Sequence, residues 1–187
     1  MRLYLLYDFS LLISFNAIAQ KSYSLYSPDS SIRLEIKTKE KLSWHLYSGK
    51  GFLAQSSDVD LQLKDQKKLS DKMAVSSHSY TRSNETIIVP IPYRRKMITD
   101  KYNQLELIFK EPFSIQFRLY NNGMAYRMGT RFKDSIIIEN ENALFEVDDK
   151  ASVWFAHMDK RQNVDRFHTS FEAIYAKQNL SQASINN

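Results

Sequence analysis

With 187 residues, 43% of them hydrophobic and 13% aromatic, the chain is long and apolar enough for one domain with a packed core, which excludes a wholly disordered protein. Its net charge is +5, but the one tight basic cluster, Arg94-Arg95-Lys96, lacks the aromatic neighbours on which single-stranded nucleic acids stack, so we expect a solvated turn and no nucleic-acid partner. Cysteine is absent, which excludes disulfides, thiolate metal sites and cysteine nucleophiles.

Residues 1–19 have the pattern of a secretory signal peptide. Arg2 supplies a positive start, and residues 3–15 are mostly apolar. Residues 17–19 (Ala-Ile-Ala) have small side chains at the first and third positions, which is the pattern of a signal-peptide cleavage site. Asp8 interrupts the apolar run, so an N-terminal strand or an uncleaved anchor remains an alternative. We predict an exported protein, periplasmic or on the surface of a Gram-negative bacterium. No other run approaches the roughly 18 apolar residues of a membrane span.

From Tyr23 onward the pattern is that of β-strands. A period of two places alternate side chains on opposite faces of a sheet, and three runs have it: Ile32, Leu34 and Ile36; Leu42, Trp44 and Leu46; Val59, Leu61 and Leu63. Turns are predicted at residues 27–29, 39–41 and 49–51, which are rich in Pro, Asp, Gly and Lys. Residues 64–84 are polar and weakly patterned, with one expected strand around Met73–Tyr80. Ile87–Val89 is a further short strand, which leads into two prolines.

The stretch from Tyr102 to Met128 gives the strongest strand signal. Apolar residues alternate with polar ones on both sides of two breaks, at residues 110–112 and 121–123. The second break ends in Asn-Gly, which tolerates positive φ and therefore suits a tight hairpin turn. Three consecutive antiparallel strands are predicted here.

Short strands are also predicted at residues 136–138, 143–147 and 153–155. In total about ten to fourteen short strands alternate with turn signals, and helical periodicity is almost missing. The predicted fold class is all-β, an antiparallel two-sheet β-sandwich with little helix. Trp44 and Trp154 lie in alternating or apolar runs and are expected in its core, although an exposed ring for stacking on sugars is the alternative.

Several motifs resemble the N-terminal domain of glycoside hydrolase family 97. They are SPDSSIRLEI at residues 27–36, YNQL at 102–105, FRLYNNGMAYR at 117–127 and FEAIY at 171–175. The family comprises bacterial α-glucosidases and α-galactosidases with a catalytic (β/α) barrel behind that domain. The resemblance implies a large super-sandwich of the galactose-mutarotase type over residues 23–177. Residues 178–187 are polar and are expected to form a frayed tail. A barrel needs roughly 250 residues, so none is expected in this chain.

The resemblance also implies one metal ligand. A glutamate near the end of the family's domain helps to bind calcium beside the active site, and Glu172 occupies the matching place in FEAIY. Calcium prefers carboxylate oxygens but takes 6–8 ligands, so Glu172 alone is not expected to bind it tightly. A solvent-facing glutamate is the alternative. The catalytic carboxylates of the family belong to the barrel. We therefore predict no catalytic residue here.

Other polar residues are expected to have ordinary roles. Asp148-Asp149, Glu139 and Glu141 are predicted in turns between strands, and none of the four histidines has the spacing of a metal site. The functional prediction is a non-catalytic β-sandwich of an exported α-glycosidase, inactive alone, which supports a barrel in cis or trans and contacts an α-glucoside or α-galactoside. The alternatives are a stand-alone periplasmic carbohydrate-binding domain and a protein-interaction β-domain.

Overall fold

The computed structural model describes residues 21–49, 51–64, 68, 73–91, 94–148, 150–156 and 174–183. These residues form thirteen strands and one short 3-10 helix, Leu180–Gln182. The strands are β1 Lys21–Tyr26, β2 Ile32–Thr38, β3 Leu42–Ser48, β4 Gly51–Ser56, β5 Val59–Leu63, β6 Val75–Ile88, β7 Met97–Phe109, β8 Phe113–Tyr120, β9 Gly123–Thr130, β10 Ile138–Ala143, β11 Glu146–Val147, β12 Ser152–Phe155 and β13 Ala176–Asn179.

Two antiparallel sheets make up most of the structure. One has the strand order β1-β2-β3-β4-β11 and the other β6-β7-β8-β9, while β10–β5 and β12–β13 form two small two-stranded sheets. Strand β1 packs over β7 and β2 over β8, so the two main sheets lie face to face. The predicted all-β, two-sheet sandwich is confirmed. Within the described residues, no helix is both apolar and long enough to cross a membrane.

The core lies between the inward faces of the two sheets, as the alternation predicts. On the first sheet the most buried side chains are Leu34, Ile36, Leu42 and Trp44, and on the second they are Leu105, Leu107, Phe109, Ile115, Phe117 and Leu119. Residues between them on β2, β3 and β8 are only half-buried, which is the signature of a strand with one face in the core. The rings of Phe109 and Phe113 stack with centroids 4.2 Å apart across the turn that joins β7 to β8.

The turn between β1 and β2 is organised by one carboxylate. Asp29 accepts hydrogen bonds from the Ser27 hydroxyl at 2.7 Å and from the backbone and hydroxyl of Ser31 at 3.0 and 2.7 Å. These donors, that of Ser27 first, lower the pKa of Asp29 to about 2. Ser30 has a φ of 60°, a conformation that this turn imposes. The Asp29 N–H also donates to the side chain of Asn121 in the β8–β9 turn, at 3.2 Å.

Local predictions of strands and turns differ from the structure at several places. The β8–β9 hairpin forms, but its two turn residues are Asn121 and Asn122, and neither they nor Gly123 has a positive φ. Strand β6 runs as one strand through the region predicted as one strand, loops and a second strand, because all of its residues except Ser76, at an irregularity, are paired with the well-patterned β7. Strand β4 was not predicted. Residues 176–179 form β13 at the start of the expected tail.

Candidate interface surfaces and ligand groove

The predicted calcium ligand, Glu172, lies outside the described residues, as do His157 and His168. Among the residues that the structure describes, no three acidic or histidine side chains are grouped to hold a metal ion. Asp148 lies in a turn as predicted, where its carboxylate accepts the Lys150 N–H at 2.7 Å. The turn prediction for Glu139 and Glu141 is wrong, because both belong to β10, which pairs with β5.

The two remaining histidines and the two tryptophans occupy contrasting environments. His45 lies half-buried on the outer face of β3, stacked on Tyr47 at 6.4 Å, and His78 is exposed on β6. Trp44 is 1% exposed and belongs to the core, as predicted. The core prediction for Trp154 is wrong: β12 pairs only with β13 in a separate two-stranded sheet, and the ring is 68% exposed.

One end of the second main sheet extends as a two-stranded arm. Residues 97–102 of β7 pair with residues 83–88 of β6, whereas β8 begins to pair with β7 only at Asn103. We call residues 83–88 and 97–102 the arm. Six residue pairs at about 3.3 Å per residue give it a length of about 20 Å. A lone two-stranded hairpin is marginally stable in water, so a surface that packs on the arm would stabilise it.

The tip of the arm is apolar on both faces. Ile87 pairs with Ile98 on one face, and Ile88 pairs with Met97 on the other. Their side chains are 47–67% exposed, and Ile91 in the connecting turn is 87% exposed. Arg94 and Lys96 lie in the same turn and are exposed, in keeping with the prediction of a surface turn. Contiguous exposed apolar side chains of this kind mark surfaces that bind a partner.

A second set of exposed apolar residues borders the undescribed segment 157–173. Trp154 lies on β12, and Ile174 and Tyr175 directly precede β13, with exposures of 90% and 58% for the latter two. Phe145 is 56% exposed although its ring lies 5.6 Å from that of buried Trp44. The sequence stretch that contains Glu172 is therefore flanked on both sides by exposed aromatic side chains.

A groove of about 390 Å³ opens between β1 and β6. Its walls are Ser24, Leu25 and Tyr26 on one side and Tyr80, Thr81, Arg82 and Asn103 on the other. The register explains its position: Tyr80 is opposite the fully buried Leu105, and Arg82 is opposite Asn103, on one face of the sheet. The inner face of the second main sheet thus extends past β1, which is the edge strand of the first sheet. Beyond β1 this face forms a polar and aromatic wall of the groove.

The two walls of the groove contact each other. The Asn103 side-chain amide donates a hydrogen bond to the Tyr26 carbonyl at 2.8 Å, and the backbone of Ser24 interacts with the Tyr80 hydroxyl. Burial raises the pKa of Tyr80, so its hydroxyl stays protonated at neutral pH. Sequence reasoning missed this groove, because residues 24–26 and 80–82 meet only through sheet packing and carry no shared motif.

Comparison with known proteins adds a family assignment. The sequence model described as "Glycosyl-hydrolase 97 N-terminal" matches residues 25–187. A retaining alpha-galactosidase of Bacteroides thetaiotaomicron is 28% identical over 167 residues, which are 88% of this chain and 25% of that enzyme. The chain therefore spans about a quarter of the length of the curated relative that it matches.

Solved structures agree on the fold. A glycoside hydrolase family 97 enzyme of Pseudoalteromonas sp., in complex with panose, superposes with a TM-score of 0.67 at 16% identity, over 87% of this chain and 25% of that one. A variant of the enzyme gives 0.69 at 17% identity with the same coverage, and the enzyme in complex with acarbose gives 0.65 at 16% identity over 84% of this chain and 24% of that one. At such identities the likeness establishes the architecture alone.

Proposed function

The chain belongs to the glycosyl-hydrolase 97 N-terminal family, and from this premise we propose that it is the non-catalytic β-sandwich of an exported α-glycosidase. Its role is to pack against a catalytic barrel, in cis or in trans, and to complete the rim of the active site. Substrates of the α-galactoside or α-glucoside class are consistent with the retaining alpha-galactosidase among its relatives and with the panose and acarbose complexes of the Pseudoalteromonas enzyme.

The exposed apolar arm tip is the observation that carries this proposal. A self-sufficient domain rarely exposes adjacent isoleucine and methionine side chains on both faces of a projecting hairpin. Burying the tip against a second domain removes that surface from water and supports the marginal hairpin. The exposed Trp154, Ile174 and Tyr175 extend the same argument to the region around Glu172.

Glu172 would contribute one carboxylate to a calcium site shared with the barrel. Calcium takes 6–8 oxygen ligands, so a single carboxylate on this chain needs several more from the partner. A calcium ion held there would stabilise negative charge that develops on the substrate. The other ligands of this calcium ion would come from the barrel. A cluster of three ligands is therefore not expected on this chain.

Export is part of the proposal and rests on residues 1–19. Their positive start, apolar run and Ala-Ile-Ala ending are the features that a signal peptidase recognises. Expression in a Gram-negative host tests this directly. We expect mass spectrometry of the periplasmic product to give an N-terminus at Gln20, whereas an intact Met1 in that fraction contradicts the proposal.

A domain graft tests the function. Residues 25–187 replace the matching segment of the Bacteroides alpha-galactosidase, and hydrolysis of p-nitrophenyl α-galactoside is measured. We expect the graft to be active, and both this chain alone and the enzyme without the segment to be inactive. Glu172→Gln in the graft should raise the calcium concentration for half-maximal activity by roughly tenfold or more, because calcium affinity follows the number of charged ligands.

Two results would contradict the proposed function. One is turnover of an α-glycoside by the purified chain alone. The other is a graft that has the circular dichroism spectrum of a folded protein and is monodisperse, yet is as inactive as the enzyme without the segment. A Glu139→Gln graft is a suitable control for the calcium experiment, because it removes an exposed carboxylate of strand β10 and leaves Glu172 in place.

A further inference from the structure

We propose that the groove between β1 and β6 is a carbohydrate-binding subsite, which holds a neutral hexose oligosaccharide against Tyr80, Tyr26 and Arg82. This deepens the carbohydrate contact in the proposed function and rests on it for the choice of sugar. The groove itself is defined by residues of β1, β6 and β7. Its volume of about 390 Å³ lies within the roughly 300–1,000 Å³ of small-ligand pockets.

The Tyr80 ring is held in a fixed orientation. It meets the His78 ring edge-on at 5.9 Å, and His78 in turn meets the buried Tyr23 at 5.2 Å. The backbone of Ser24, on the opposite sheet, also interacts with the Tyr80 hydroxyl. Despite these contacts the side chain is 52% exposed. A ring that is fixed before binding loses little conformational freedom when a ligand packs on it.

The groove combines apolar ring surface with hydrogen-bond donors. Tyr26 is 48% exposed, so both walls offer aromatic surface for the C–H face of a sugar. Arg82 is exposed and makes no ion pair within the described part of the chain. Its guanidinium has five N–H donors in a planar fork, which suits pairs of neighbouring sugar hydroxyls.

The charges around Arg82 disfavour a cationic ligand. On its face of β6 and β7 the nearest neighbours are Tyr80, Asn84, Lys101 and Asn103, by register. The carboxylates of Glu85 and Asp100 belong to the opposite face of the arm, where the Tyr120 hydroxyl donates to Asp100 at 3.1 Å. The face that lines the groove therefore offers donors and amides, the groups that bind hydroxyl-rich ligands.

A peptide strand is a poor occupant of this groove. Strand addition needs free backbone N–H and C=O groups along a sheet edge. On the outer edge of β1 the Tyr26 carbonyl accepts a hydrogen bond from the Asn103 amide, and the Tyr80 hydroxyl lies against the backbone of Ser24. Because Tyr80 and Asn103 cover the backbone edge of β1, a ligand in the groove would be bound by side chains and ring faces.

The test uses the full chain, labelled with ¹⁵N and titrated with maltoheptaose and, separately, with raffinose. We expect amide shifts that saturate with at least one of these sugars and are centred on Tyr26, Tyr80, Arg82 and Asn103. Tyr80→Ala should weaken binding about tenfold or more by removing the ring, and Arg82→Gln several-fold. Tyr80→Phe, which keeps the ring and loses the hydroxyl, should stay within about threefold of the unchanged chain.

Phe52→Ala and Arg127→Gln are the matched controls, since Phe52 is an exposed aromatic residue and Arg127 an exposed guanidinium, and both lie outside the groove. Both should bind as the unchanged chain does. Far-UV circular dichroism and melting of each variant establish that it is folded; where Tyr80→Ala fails this check, Arg82→Gln and Tyr80→Phe supply the comparison.

The proposal is overturned by saturating shifts that map to another surface, by the absence of shifts with both sugars, or by unchanged binding in Arg82→Gln together with Tyr80→Ala. A single-stranded oligonucleotide that binds the same residues while both sugars do not also overturns it. These failures are distinguishable from a failure of the proposed function, because an active graft in the experiment above is unaffected by a groove that binds nothing.

Discussion

The two halves of β7 differ in whether their apolar side chains are buried in the core or exposed to solvent. Residues 103–109 lie between β6 and β8, and Leu105, Leu107 and Phe109 are at most 1% exposed. Residues 97–102 pair with β6 alone, and Met97 and Ile98 are 62% and 47% exposed. The pairing with β6 continues without a shift across the boundary between the two halves, from Ile108 to Met97. The exposure of the two halves therefore differs because the arm has neither a third strand beside it nor an opposing sheet above it. Its apolar side chains are consequently available to a partner.

Substitution in each half of β7 gives the largest expected difference. Leu107→Ala should lower the free energy of unfolding by about 2–5 kcal/mol, because it leaves a cavity between two sheets. Ile98→Ala removes a half-exposed side chain on the same strand, and we expect a change of about 0.5 kcal/mol or less. Urea unfolding followed by tryptophan fluorescence measures both. Equal losses in the two variants would mean that the arm tip is buried in the isolated chain.

Hydrogen exchange sharpens the comparison at the backbone. The arm should open at a free energy well below that of global unfolding, since it has few buried contacts and an unpaired edge along β7. Peptides that cover residues 97–102 should therefore exchange earlier than those that cover 103–109. In the active graft, protection of the arm should rise as the barrel packs on its tip. No gain of protection there would argue against the arm as a docking surface.

The contrast between the halves also shows what the sequence could predict. Strict alternation in residues 102–128, together with the break at 110–112, predicted β7, β8 and the core residues, because a half-buried strand has to repeat every second residue. The arm lacks that signal. Its residues are exposed on both faces, so polar and apolar side chains follow one another without a period, and β6 was predicted as two shorter strands.

Sites formed by tertiary contact were the least predictable. The groove brings together residues 24–26, 80–82 and 103, which no spacing rule connects. Trp154 was expected in the core because its short strand is apolar, yet that strand joins a two-stranded sheet that leaves the ring in solvent. The predictions of export and of a calcium ligand at Glu172 fall on residues outside the described part of the chain and remain predictions.

Asn103 marks the boundary between the two halves of β7 and gives the next prediction. Its amide joins the sheets through the Tyr26 carbonyl. Asn103→Ala should destabilise the chain by about 0.5–1.5 kcal/mol, the usual net contribution of one hydrogen bond, and it should loosen the groove. The control Asn84→Ala changes an amide on the same face of the arm, which makes no hydrogen bond to β1, and should be nearly neutral. Equal melting temperatures for the two variants would show that the Asn103 contact adds nothing to stability.

The smallest expected effect is a pH dependence at the β1–β2 turn, which is joined to the β8–β9 turn through Asn121. Hydrogen bonds from Ser27 and Ser31 lower the pKa of Asp29 to about 2 from an ordinary value of 3.8. Because the folded-state pKa is the lower one, this contribution to stability is fully present above about pH 4 and is lost as the pH falls towards 2. Carboxyl ¹³C titration of Asp29 should give a midpoint near 2. Asp29→Asn should reduce stability at neutral pH and make it less sensitive to acid over that interval. An Asp29 midpoint close to 3.8 would show that the hydrogen bonds from Ser27 and Ser31 do not persist in solution.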